Sequence, residues 1–191
     1  MLVTFRIIDT QSRLHTKPAI ISARELASLV TLLRTTGLII DADPAETDHL
    51  PYNFEFNANR LALARFAGTL NWREDIIGIV EEAQFLGRSL RVERADDGIA
   101  IQLRVSDHIA LAADLLLRPD TAAKLFAAIG IDPARRSSIS IDRLRDLLLQ
   151  PRTMKAFEDL QIRTVFDMLA MTVNIDCGEQ MPRLSWADAM A

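Results

Sequence analysis

The sequence predicts an α+β protein: a small mixed or antiparallel sheet packed by helices, continuing into a mostly helical C-terminal portion. Three observations predict it. Residues 89–105 alternate apolar and polar on both sides of Asp96-Asp97-Gly98. An Asp-Gly turn between two alternating runs marks a β-hairpin, because Gly supplies the positive φ that such turns need. Residues 2–9 set Val3, Phe5 and Ile7 against Thr4, Arg6 and Ile8, the period of two of a strand. Residues 107–130 are apolar almost all round in their first half, which predicts a buried, kinked helical pair broken at Arg118-Pro119 and closed by Gly130.

The remaining elements follow in order. Ser22 opens a helix with Glu25 three residues on, a capping box in which each side chain satisfies the other's amide. Leu26, Leu29, Val30 and Leu33 form its buried stripe and Gly37 ends it. Tyr52, Phe54 and Phe56 alternate with Asn53, Glu55 and Asn57, a short strand with an aromatic face. Asn59 caps a helix carrying Leu63, Phe66, Ala67 and Leu70 at helical spacing. Asn71 opens another, in which Trp72 is a packing anchor and Ile76, Ile79, Val80 and Ala83 face inward. The hairpin carries Arg91, Glu93, Gln102 and Arg104 on a wet outer face. Ser140 caps a helix through Leu149, and Pro151 starts a long final helix to about Val173. Residues 174–191 read as a tail that docks through Trp186.

This pattern divides the chain into an α/β-mixed subdomain (1–105), a helical subdomain packed on it (106–175) and the tail (176–191). At 191 residues, 49% hydrophobic and 25% charged, the chain is long enough for a real core. Only 6% is aromatic, so aliphatic side chains must build that core. The formal charge of −4 disfavours non-specific binding to nucleic acid or anionic membrane. One cysteine, Cys177, precludes an intrachain disulfide and a multi-cysteine zinc site. No basic stretch precedes an apolar run at the N-terminus. The apolar run over 109–117 is far shorter than the roughly 20 residues of a membrane span. A cytoplasmic location is the expectation.

No phosphate-binding glycine motif or nucleophile-elbow pattern occurs, and His15, His49 and His108 are far apart in the chain. Cys177 has no local motif around it. The expectation is therefore a non-enzymatic protein without a cofactor or metal. Charge is segregated instead. Asp41, Asp43, Glu46, Asp48 and Glu55 form an acidic stretch without a Lys or Arg, and Arg135, Arg136, Arg143, Arg145, Arg152 and Lys155 form a basic one. Complementary patches of this kind steer association and select partners.

The reading is a protein-binding module acting through these patches and Trp186: an accessory subunit, adaptor, chaperone or inhibitor. Its partner is another protein, in a larger complex or a homo-oligomer. One alternative is a DNA-associated regulator using 135–163, although Arg143 and Arg145 lie about 200° apart around a helix. A second is a metal-dependent hydrolase on the acidic loop 41–49, with Asp41, Asp43, Asp48 and His49 as oxygen and imidazole ligands.

Overall fold

In the computed structural model, which describes residues 2–38, 53–95 and 98–188, β1 (Val3–Ile8) turns Val3, Phe5 and Ile7 inward. The fold is α+β. By contacts the chain forms two units: Arg13–Ala110, and Met1–Ser12 together with Leu111–Ala191. Ser106, where the sequence suggests a boundary, lies inside a strand.

The unit Arg13–Ala110 contains β2 (Ala19–Ile21), α1 (Ala23–Thr35), β3 (Phe54–Asn57), a 3-10 turn (Ala58–Arg60), α2 (Leu63–Thr69), α3 (Glu74–Phe85), β4 (Arg88–Arg94) and β5 (Ile101–Ile109). Its strands lie in the order β3-β4-β5-β2, every neighbour antiparallel. Phe56, Leu90, Val92, Leu103 and Val105 share one core with Leu29, Leu33, Ile76 and Ile79. The capping box forms as its spacing requires: Glu25 N donates to Ser22 Oγ, and Ser22 N donates to Glu25 Oε2 at 2.8 Å. Arg73 ties this corner together, donating to Glu25 at 3.1 Å and to the Ile20 carbonyl at 2.9 Å. On the other face of the sheet, Glu93 sits between Arg91 (2.5 Å) and Arg104 (2.6 Å), and Arg91 also reaches Glu55.

Two details of this unit depart from expectation. Asn59 lies inside the 3-10 turn, and α2 opens after Ala62 with no side-chain cap. Asn71 and Trp72 precede α3 rather than opening it, and both have positive φ. That backbone turns the Trp72 indole outward, leaving it 61% exposed and not a core anchor. The hairpin is enclosed: β4 lies between β3 and β5, and Ile101–Leu103 of β5 pair with β2. Those positions offer no edge to an added strand.

The other unit continues from β1 with β6 (Leu115–Leu117), α4 (Pro119–Ile129), β7 (Ser138–Ser140), α5 (Ile141–Leu148), α6 (Pro151–Asp159), α7 (Arg163–Thr172) and β8 (Arg183–Asp188). β1 pairs antiparallel with β6 and β8, and β8 pairs with β7. The helical pair expected over 107–130 is only half present. Residues 107–109 finish β5, and Leu115–Leu117 pair with Val3–Phe5 as a strand. A short run that is apolar all round has no period, so helix and buried strand cannot be told apart within it. Pro119–Ile129 is helical, with Pro at its first turn and Gly130 left-handed at its end. The long final helix is split as well, because Gln161 takes φ 56 between α6 and α7.

The largest correction concerns 174–191. This stretch is not a tail docked on a finished surface. It supplies β8, which pairs with β1 over six residues and with β7 over three. Leu184 and Trp186 alternate with Arg183 and Ser185, the period of two that a short run of mixed polarity conceals.

Candidate binding groove

Antiparallel pairing puts residues that face one another on the same side of the sheet. Phe5 pairs with Trp186, and Ile7 with Leu184. This side packs against α4, whose Leu125, Phe126 and Ile129 are buried. Three rings meet there: Phe126 lies 5.1 Å from Trp186 and 5.5 Å from Phe5, centroid to centroid. Phe5 is fully buried and Trp186 half-buried.

Beyond these rings the packing opens into a groove of about 720 Å³. One wall is α4, through Pro119, Ala123, Phe126 and Ala127; the other is the sheet, through Val3, Trp186 and Ala187. Ile131, Asp132, Pro133 and Ser137 of the connector close one end. The small side chains explain the space. Ala123 and Ala127 lie one helical turn apart on α4 and both are exposed. A larger side chain at either position would project into the opening.

The groove is mostly apolar with a few polar groups, the usual composition of a binding cleft of about 300–1,000 Å³. Among the described residues, Asp132 is its single ionisable lining residue. The carboxylate accepts from Ala134 N at 3.0 Å and pairs with Arg135 Nε at 3.1 Å. Among the described residues, neither the Trp186 indole N–H nor the Ser137 hydroxyl has a hydrogen-bond partner.

The residues singled out from the sequence fall in several places. Asp41, Asp43, Glu46, Asp48 and His49 lie outside the described residues. Glu55 belongs to an ion-pair network: its carboxylate accepts from Arg91 at 3.1 Å and Ser106 at 2.7 Å, with His108 Nδ1 at 3.5 Å. Ser89 Oγ also approaches His108 Nδ1, at 3.4 Å. Hydroxyl and carboxylate thus share one ring nitrogen. A proton relay needs them on opposite nitrogens, so this arrangement does not activate Ser89.

Arg145 donates to the Val173 carbonyl and to Asp142, closing the end of α7. Arg152 bonds Gln150, while Arg143 and Lys155 are exposed. Arg135 and Arg136 stand on the connector beside the groove, both exposed. His15 is held through its backbone N–H on Glu82. Burial pushes the Cys177 thiol pKa up, helped by the carboxylates of Asp176 and Asp9 against a smaller opposing effect of Arg145. A raised pKa is the reverse of what activates a thiolate. Among the described residues, no group of three or more His, Cys, Asp or Glu is placed to hold a metal ion. Nor is any helix among them long and apolar enough to cross a membrane.

Sequence reasoning singled out Trp186 but missed Val3, Ala123, Phe126 and Ala127 as its neighbours. Compared with family models, curated proteins and solved structures, the chain matches none.

Proposed function

We propose that the chain is a non-enzymatic protein-binding module, an accessory or adaptor subunit, and that the groove beside α4 is where it holds an apolar segment of its partner. The observation that carries this reading is an open apolar groove walled by Trp186 and Phe126. Trp is enriched among the residues that dominate binding energy, especially where it lines a pocket. The rings are fixed by the β1–β8 pairing and by α4, so little ordering is needed on binding, and such preorganisation favours affinity. The basic residues Arg135 and Arg136 join the site as its rim.

A photoreactive benzophenone side chain at Ala123, used in native-source lysate, tests the proposal. The expected result is one dominant protein adduct that disappears when Ala127→Trp obstructs the groove without altering the melting temperature. No adduct, or an adduct indifferent to Ala127→Trp, removes the groove as the binding site.

A further inference from the structure

Residues 135–139 read Arg-Arg-Ser-Ser-Ile. Cations thus stand three and two residues before the Ser138 hydroxyl, and an apolar residue follows it. Serine/threonine kinases with acidic substrate clefts choose their targets by this charge pattern. Both guanidiniums are presented: Arg135 and Arg136 are exposed on the connector. Arg135 pairs with Asp132, but both side chains are exposed, and such a surface pair gives way at little cost. The hydroxyl itself has a second feature. Arg183 Nε, on β8, donates to Ser138 Oγ at 3.0 Å. Arg183 is half-buried, and among the described residues it has no carboxylate partner. A phosphate in place of the hydroxyl gives that guanidinium its anion, through charge-assisted hydrogen bonds.

We propose that Ser138 is a phosphorylation site, read by a kinase of this class through Arg135 and Arg136 and held after transfer by Arg183. The kinase's catalytic Asp takes the hydroxyl proton and Ser138 Oγ bonds to the γ-phosphorus of ATP. ADP leaves with the electrons of the broken P–O bond. Ser138 is half-buried and Ile139 buried in β7, so the strand must open to enter the kinase. β7 is only three residues long and, among the described residues, pairs with β8 alone. A short edge strand opens locally more readily than the core it borders. Ser137 is more exposed, but its cations stand two and one residues before it, and no guanidinium is bonded to its hydroxyl. The assignment is independent of what the groove holds.

The test incubates the full chain, and a free peptide spanning 132–142, with MgATP and the catalytic subunit of cyclic-AMP-dependent protein kinase. Tandem mass spectrometry then locates the phosphate. One phosphate at Ser138 is expected on the chain, added more slowly than on the peptide because Ile139 must come out. Ser138→Ala abolishes it, Ser137→Ala does not, and Arg135→Ala/Arg136→Ala slows it at least about tenfold. The phosphorylated chain should melt no lower than the unmodified one, whereas phosphorylation should lower the melting temperature of Arg183→Ala. Equal shifts in the two remove Arg183 as the holder of the phosphate. A chain that stays unmodified, whether or not the peptide reacts, overturns the proposal, as does incorporation at Ser137 alone. The chain purified from its native source under phosphatase inhibitors gives the second reading. Phosphate is expected on Ser138 there too, and its absence overturns the assignment.

Discussion

Trp186 lies directly opposite Phe5 in the pairing of β8 with β1, and their ring centroids are 6.3 Å apart. The indole is at once part of the core of its unit and a wall of the groove. Stability and binding therefore meet in one side chain. Trp186→Ala removes both ring contacts and widens the groove. For a half-buried ring the expected loss is about 2 kcal/mol, below the 3–5 of a fully buried one. Trp186→Phe retains most of the stability. Chemical denaturation of the two variants checks the order, and equal losses would contradict it.

Asp9 ends β1 with a buried carboxylate. Burial raises its pKa, but hydrogen bonds from the Ser12 side chain and amide and from the Gln11 and Met181 amides outweigh that, bringing it from 3.8 down to about 2. A folded-state pKa below the unfolded one stabilises fully above the unfolded value. The contribution fades as pH falls through the folded value, and here amounts to about 2 kcal/mol. Asp9→Ala is therefore destabilised by about that much at neutral pH. The gap to the parent should close between about pH 4 and pH 2; urea midpoints across that range measure it. A gap independent of pH would mean that Asp9 acts through packing and not through charge.

Arg143 and Arg145 are two residues apart on α5 with different work. Arg145 satisfies the carbonyl at the end of α7, whereas Arg143 is exposed. Arg145→Ala is expected to cost about 1–2 kcal/mol, and Arg143→Ala to stay within about 0.5. Thermal melts of both variants decide it; similar losses would count against this division.

Gln161 ends α6 in the left-handed region, at φ 56, with its side chain exposed. Gly takes that conformation without strain. Gln161→Gly should stabilise by up to about 1 kcal/mol, where glycine in a helix interior costs a similar amount. A lower melting temperature would show that the side chain contributes something its exposure does not reveal.

The sequence made legible those elements whose signals are local. The capping box at Ser22, the alternation of β1, the hairpin around Gly98 and the cap at Ser140 each rest on residues within a turn or two of one another. Failures came where the deciding partner was distant. Leu115–Leu117 are a strand because β1 pairs with them, more than a hundred residues away. Trp186 is in a strand for the same reason. The groove was illegible because it exists only once α4, β1 and β8 are assembled. Within α4 alone, Ala123 and Ala127 are two unremarkable alanines.

The pairing of β1 with β8 also orders events in time. Everything that defines Arg13–Ala110 as a unit has been synthesised by residue 110, so it can close while the chain is still growing. The other unit cannot complete its sheet around Val3–Ile8 until Arg183–Asp188 has emerged from the ribosome. Contacts so far apart in sequence form slowly. β6 can pair with Val3–Phe5 as soon as Leu117 is made, but the side of β1 that β8 takes stays open until β8 emerges, an edge to which the same strand of a neighbouring nascent chain could add.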